Sequence, residues 1–377
     1  MKRLLLFALC ALLSANAGAR TLYVDARRPN NNGNGLSKAK AKKTIQAAIN
    51  VAKKGDTILV YPGTYAPIKT NNLRIRIRSV KGPGKTSIRG RRSAQANWCL
   101  DLGKWNGTAF AGGKATRVKG FACMGKCPTV YGKGVGGMIG GTASFCSFDT
   151  FQADVFWQGY DNFADPDPLK SRPLFHRASI ADSILIDCYQ STELGILMSG
   201  CSVQRSSIAC CSGQVLSTTL CNSRLWSSEY ALYEYCLDYE GFRYVAIALT
   251  DRDLSSGDYR YGPLLDGCTL YNCTVTSFGG GRLLPAFRNG TAVNTVFWKV
   301  PSNIYSGQGN TFVRCLKGTN PKLVSVSGLL TAELKKGPPC IDKGKLTKKQ
   351  KKLVGSKDIY GRRRIRGKAV DIGCYEY

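Results

Sequence analysis

The chain is poor in several things whose scarcity is informative. It has one histidine, four methionines and only 24 acidic residues against 54 basic ones in 377. The single His176 has no sequence-local partner with which to complete a Cys/His metal cluster. The cysteines include Cys123-x-x-x-Cys127, the adjacent Cys210 and Cys211, and Cys268-x4-Cys273, with no paired C-x-x-C spacing. A structural zinc site is therefore not expected. After residue 19 no stretch approaches 18 uninterrupted apolar residues, so no membrane span is expected in the mature chain. The 42 glycines follow no three-residue period, which excludes collagen. Hydrophobic residues are not scarce: 43% hydrophobic and 21% charged fit a packed chain and argue against wholesale disorder.

The net charge of +30 is concentrated at the two ends. Residues 1–98 carry 20 basic and 2 acidic side chains, residues 335–377 carry 14 and 4, and the long middle carries 20 and 18. A near-neutral body with basic ends fits either a solvated surface or attraction to a polyanion such as an acidic glycan, an anionic membrane or nucleic acid. Nucleic acid ranks last, because no nucleic-acid motif accompanies the charge.

Residues 1–19 read as a secretory signal. Lys2 and Arg3 precede an apolar run from Leu4 to Leu13, and the small-x-small sites Ala15-Asn16-Ala17 and Ala17-Gly18-Ala19 follow. Its removal takes Cys10 with it and leaves fifteen of the sixteen cysteines, an odd number for an oxidising compartment. Stacked core cysteines acting as small hydrophobes are the preferred reading, with some disulfides as the alternative.

Organisation is clearest near the start. Leu22-Tyr23-Val24-Asp25 reads as a strand, and the Asn/Gly run through 29–35 demands turns. Thr44 is placed to cap a helix whose Ile45, Ala48, Ile49 and Ala52 recur at i, i+3, i+4 and i+7, and Gly55 stops it. Asp56 to Tyr61 reads as a strand. Beyond residue 68, short β-rich runs recur with loosely repeated phrases, among them Asp182-Ser-Ile-Leu-Ile-Asp-Cys188, Leu220-Cys-Asn-Ser-Arg-Leu225 and Asp266-Gly-Cys-Thr-Leu-Tyr-Asn-Cys273. Like residues stacked in parallel coils of about 20–25 residues fit this spacing.

Tyr23-Val-Asp25, Asn32-Gly-Asn-Gly35, Lys43-Thr-Ile-Gln-Ala-Ala-Ile49 and Gly55-Asp-Thr-Ile-Leu-Val-Tyr-Pro-Gly-Thr-Tyr65 resemble the entry segment of secreted right-handed parallel β-helix proteins. Pro338-Pro-Cys-Ile-Asp342, Asp358-Ile-Tyr-Gly-Arg362 and Asp371-Ile-Gly-Cys-Tyr-Glu-Tyr377 resemble the closing module of bacterial β-helix surface proteins of the choice-of-anchor type. The two together bracket nearly the whole mature chain. The resemblance implies the pectate-lyase-like superfamily: polysaccharide lyases, glycoside hydrolases, epimerases and non-catalytic adhesins. Fold alone does not choose among them.

Three segments are candidates for chemistry. Arg282-Leu-Leu-Pro285-Ala-Phe-Arg288-Asn-Gly290 resembles the R-x-P-x-x-R-x-G segment of pectate lyases, whose second arginine acts as base, although Arg282 stands one residue too far upstream. The likeness implies Arg288 as base; an ordinary coil turn is the alternative. Asp251, Asp253 and Asp258 surround a Gly-containing turn and have the chemistry of a Ca²⁺ site or of a hydrolase carboxylate cluster; a solvated turn competes with both. The long stretch 149–177 holds Trp157, Tyr160, Lys170, Arg172 and His176, an aromatic–polar mixture suited to sugar rings, or to covering the coil wall.

The expected protein is all-β: a right-handed parallel β-helix (solenoid) over 20–334 with an N-terminal amphipathic capping helix inside 20–65, and a basic closing segment at 335–377. It is expected to be a secreted, periplasmic or cell-surface monomer that binds or processes a polysaccharide, acidic glycans foremost. The alternative is a non-catalytic adhesion protein using the β-helix as scaffold. No cofactor is required by the sequence, Ca²⁺ being the one candidate.

Overall fold

In the computed structural model the described residues are 18–89, 98–104, 115–124, 136–149, 152–153, 175–176, 178–181, 183–186, 189–190, 196–209, 214–228, 264–278, 286–299, 309–326, 329–337 and 339–377. Among them, three parallel sheets of 11, 10 and 8 strands account for most of the regular structure. The chain visits them in fixed rotation. Gly136–Ile139 lies in the 8-stranded sheet, Thr142–Ser144 in the 11-stranded sheet and Ser147–Asp149 in the 10-stranded sheet. The next circuit repeats the order and pairs in register with the one before. The protein is an all-β parallel solenoid.

Most strands of the body are only three or four residues long, and their middle residue points inward. In the 11-stranded sheet Ile58, Ile77, Val118, Ala143, Ile180, Val203 and Leu220 follow one another in register, each no more than 1% exposed. A single coil offers too little apolar surface for a core of its own, so burial requires its neighbours. Cysteine takes part in this packing. All ten described cysteines are free thiols, and nine are buried. Desolvation pushes the Cys146, Cys221, Cys268 and Cys340 thiols up to about 12, which keeps them protonated and poorly nucleophilic.

Corners make the stacking possible. From Arg117 onward each described coil turns between the 11- and 10-stranded sheets through two residues, whereas in the coil before it Ser79 and Thr86 are separated by six. The first is left-handed: Gly120, Phe145, Arg205, Asn222, Asn272, Asn294 and Arg314 have φ between 47° and 82°. After Gly120 the second is Phe121, and in later coils it is small and hydrogen-bonding: Cys146, Ser183, Ser206, Ser223, Cys273, Thr295. Each hydroxyl or thiol donates to the carbonyl two residues earlier, as Ser183 does to Ala181 at 2.7 Å and Ser206 to Gln204 at 2.9 Å. The oxygen also accepts the backbone N–H of the preceding coil: Cys146 N–H to Ser183, Ser183 N–H to Ser206, Ser206 N–H to Ser223 and Cys273 N–H to Thr295. These rungs span 37, 23, 17 and 22 residues. Coil length is thus far less regular than 20–25. From Gly136 onward the two short corners are constant, and the variation falls between each 10-stranded-sheet strand and the following 8-stranded-sheet strand. In the earlier coils the connections from Lys69 to Arg76, Ser79 to Thr86 and Asp101 to Arg117 are longer.

Helix α1 (Ile45–Val51) forms where the apolar spacing places it. Thr44 caps it by accepting the Ala47 N–H at 3.2 Å. Ile45, Ala48 and Ile49 enter the same core cluster as Leu22, Val24 and Ile58 of the first coil, while Ala52 is half-buried.

The C-terminal stretch folds back along the outer side of the Asn corner. Helix α2 (Lys348–Val354) starts with a capping box between Thr347 and Gln350. Asn222 donates to the carbonyls of Val354 and Lys357, both at 2.8 Å. Asn272 donates to Asp371 O at 2.9 Å, and Asn294 to Lys345 O at 3.0 Å. Val354, Leu346 and Val370 pack with Val293 and Tyr271 of the coil wall. Within this segment Arg364 and Glu376, 2% and 1% exposed, form a buried pair 3.7 Å apart. Desolvation pushes the Glu376 carboxyl up to about 7 against the opposing pull of Arg364; the neighbouring Asp371 is also raised, again mainly by burial.

Replacing Thr295 with Val leaves the buried Cys273 N–H unpaired. This should cost about 1–3 kcal/mol, whereas Thr295→Ser should retain most of the stability; denaturant midpoints of the two variants check it. A raised folded-state carboxyl contributes stability that is complete below its unfolded value of 4.5 and lost as pH rises through about 7. Hydrogen exchange in residues 339–377 should therefore accelerate across that window, and Glu376→Gln should flatten the dependence.

Candidate functional site

The 8-stranded sheet holds the sequence-predicted residues that fall within described structure. Its inward column contains Leu100, Met138, Met198, Leu265 and Phe287, all buried. The residue after each of these ends its strand, and these strand-ending positions stack in register on the next column. That column reads Lys69, Asp101, Ile139, His176, Ser199, Leu216, Asp266, Arg288. Five of the eight positions carry ionisable groups. At about 4.8 Å per strand the column is roughly 33 Å long.

At one end, Arg288 donates from Nε to Asp266 Oδ2 at 3.0 Å, and Asn289 donates from Nδ2 to Asp266 Oδ1 at 2.9 Å. Both carboxylate oxygens are engaged, and the Arg288 side chain is 44% exposed. Gly290 follows because nothing larger fits. A Cβ there would lie 2.4 Å from the Phe287 ring and 2.7 Å from the Cys268 carbonyl. The Arg-Asn-Gly triplet is thus built by the corner: an inward Phe287, an outward Arg288, a left-handed Asn289 with φ 51°, and a glycine against the preceding coil.

At the other end sits Asp101, 7% exposed. Desolvation raises its carboxyl to about 6, with the Lys69 charge pulling the other way. A carboxyl that changes state near neutrality has the property required of a general acid or base. His176 falls two register steps from Asp101, about 10 Å along the sheet. Arg288 falls six steps away, about 29 Å. The column therefore holds two separated groups, Lys69–Asp101 and Asp266–Arg288–Asn289, with the His176 position between them.

Trp157, Tyr160, Lys170 and Arg172 lie outside the described residues, as do Asp251, Asp253 and Asp258 and with them the Ca²⁺ expectation. Residues 1–17, most of the expected signal segment, also lie outside. The described strands nearest the first group are Gln152–Ala153 and Phe175–His176, the second of which carries the column. The Asp triplet falls between Arg224–Ser228 of the 10-stranded sheet and Leu264–Asp266 of the 8-stranded sheet. Sequence reasoning missed Lys69, Asp101 and Asp266 as site residues. Asp266 had a readable signal, since it precedes a Gly-Cys corner just as Ser199 precedes Gly200-Cys201.

No protein-family model matches the chain, and no curated protein matches it. Among solved structures it is similar to pectate lyase Pel9A, at 13% identity over 97% of this chain and 98% of that one, with a TM-score of 0.42. It is also similar to pectin methylesterase PemA from Erwinia chrysanthemi, at 15% identity over 90% and 98% with a TM-score of 0.31. A rhamnogalacturonan lyase matches at 12% identity over 82% and 66%, with a TM-score of 0.25. The assignment of the fold rests on the strand register, not on these likenesses.

The Asp101 carboxyl should titrate with a midpoint near 6, protonated below and ionised above. Lys69→Met removes the cation that favours ionisation, so the midpoint should rise. Carboxyl carbon chemical shifts followed through a pH series check both.

Proposed function

We propose that this chain is an exported protein whose 8-stranded sheet face binds and processes an extended polysaccharide. One observation carries the reading: the in-register column from Lys69 to Arg288, whose length suits a polymer and whose ends offer different chemistry. A small molecule would occupy one end and leave the other unused. The Asp266–Arg288–Asn289 group presents donors that fit a uronate carboxylate or sugar hydroxyls. Asp101 is the residue suited to moving a proton, because its carboxyl changes state near the ambient pH.

A second reading has its own support. The 11-stranded sheet carries an outward column of small hydroxyls, Thr142, Ser179, Ser202, Thr219, Thr269, Thr291 and Thr311, in unbroken register. A smooth hydroxyl-lined face suits a non-catalytic adhesion protein.

The purified chain should be incubated with acidic and neutral polysaccharides while unsaturated ends and reducing ends are followed together. New ends of either kind, abolished by Asp101→Asn with polymer binding retained, are expected. Binding without new ends would favour the adhesion reading. Absence of both binding and products from every polymer would overturn the proposal.

A further inference from the structure

The outer face of the 11-stranded sheet departs from its hydroxyl column at one place. Leu73-Arg74-Ile75-Arg76-Ile77-Arg78 alternates strictly: Ile75 and Ile77 are buried, and Arg74, Arg76 and Arg78 are exposed. The next strand repeats the pattern, with Val118 buried between exposed Arg117 and Lys119. Register sets Arg76 directly opposite Arg117, and Arg78 opposite Lys119. Five cations thus share one solvent-facing patch, with Arg76, Arg78, Arg117 and Lys119 about 4.8 Å apart between strands and about 6.7 Å apart along them, and Arg74 just ahead of the strand.

The fold gains nothing from this arrangement. Like charges on directly opposed strand positions repel, and the same outward column elsewhere holds Thr57, Thr142 and Ser179. Among the described residues no carboxylate lies within ion-pair distance of any of the five. Asp56, on the strand-entry side of the patch, is already held by Arg20 at 2.7 Å. Lys119 is further fixed by its ammonium lying 4.4 Å from the centre of the Phe145 ring.

We infer that this patch is a docking surface for an acidic polysaccharide, distinct from the column on the 8-stranded sheet and independent of whether that column is catalytic. Four of the five cations are arginines, whose planar forks match carboxylate and sulfate groups bidentately. The flanking Thr57 and Thr142 hydroxyls, in line with Arg76 and Arg117, offer hydrogen bonds to sugar hydroxyls on either side of the charges. The patch lacks the stacked aromatic platform that single-stranded nucleic acid uses. It also has no protruding helix or ribbon to enter a duplex groove. Exposed apolar side chains beside it are few, Phe145 against Lys119 and Val80 after Ser79, short of the continuous apolar face that a lipid surface takes.

The test measures binding of the full chain to polygalacturonate, dextran sulfate, neutral dextran, phosphatidylglycerol vesicles and oligo-dT over a salt series. Arg76→Gln/Arg117→Gln is compared with Lys348→Gln/Lys349→Gln, which removes the same charge from the exposed start of α2. The first double variant should weaken binding to polygalacturonate, dextran sulfate or both by about tenfold or more, because each arginine supplies charge-assisted hydrogen bonds. It should also flatten the salt dependence, while the second stays within about twofold of the parent, because exposed charges distant from the ligand are screened. Carboxylated and sulfated polymers together identify which anion is preferred. Equal losses in the two variants would reduce the effect to net charge and overturn the proposal, as would tighter binding of vesicles or oligo-dT than of either acidic glycan. Loss of glycan turnover in Asp101→Asn with patch binding intact bears on the other site alone.

Discussion

The body of this solenoid from Cys146 to Thr295 depends on a hydrogen bond between successive coils at one corner. A strand of three residues has too few ladder bonds to fix its own register, and in a parallel sheet a one-residue slip turns the core face outward. The corner hydroxyl prevents that slip. It satisfies its own carbonyl and, at the same time, the N–H of the coil before it, so every rung states where the next coil must sit. The left-handed residues Phe145, Arg205, Asn222, Asn272 and Asn294 aim the chain at the rungs that follow them. Once the corners are in place, the inward columns and the part of the 8-stranded-sheet column from His176 to Arg288 follow as consequences of the same register.

That dependence also explains what the sequence disclosed. The helix at Ile45–Val51 was legible, because its cap and its i, i+3, i+4 spacing are local properties. The corners showed as repeated phrases: Asn222-Ser223, Asn272-Cys273 and Asn294-Thr295 occupy equivalent places, and their Asn/Ser/Cys/Thr composition marks stacking. What stays hidden in a linear reading is which strand ends share a column. Rung separations of 37, 23, 17 and 22 residues break any fixed period, so Asp101 cannot be aligned with Asp266 by counting. Arg288 was found through a motif, but its carboxylate partner 22 residues earlier belongs to the previous coil and carries no local mark. The buried carboxyl of Asp101 is likewise a product of packing, not of its neighbours in sequence.

The two charged surfaces divide the molecule's polarity between faces. The column on the 8-stranded sheet mixes signs, Lys69 with Asp101 and Asp266 with Arg288, so its field is local and its contacts depend on position. The patch on the 11-stranded sheet is of one sign and exposed, so its field extends to about the Debye length and acts before contact. Under the two proposals, a long anionic chain is met by the second surface and read by the first. The buried thiols play no part in either, and their raised proton affinity keeps them as packing groups.

The returning C-terminal segment changes how such a solenoid comes apart. In a stack held only by nearest neighbours, coils peel from an end one at a time. Here Asn222, Asn272 and Asn294, on successive coils, are all tied to one segment, by contacts separated in sequence by 132, 99 and 51 residues. The segment works as a splint laid across a stack of plates: no splinted coil can leave without releasing it. Peeling is thereby converted into a concerted event over that part of the body. The same contacts demand closure of long loops, which slows their formation. The splinted coils accordingly combine late completion during folding with resistance to piecemeal loss and to proteases that attack frayed ends.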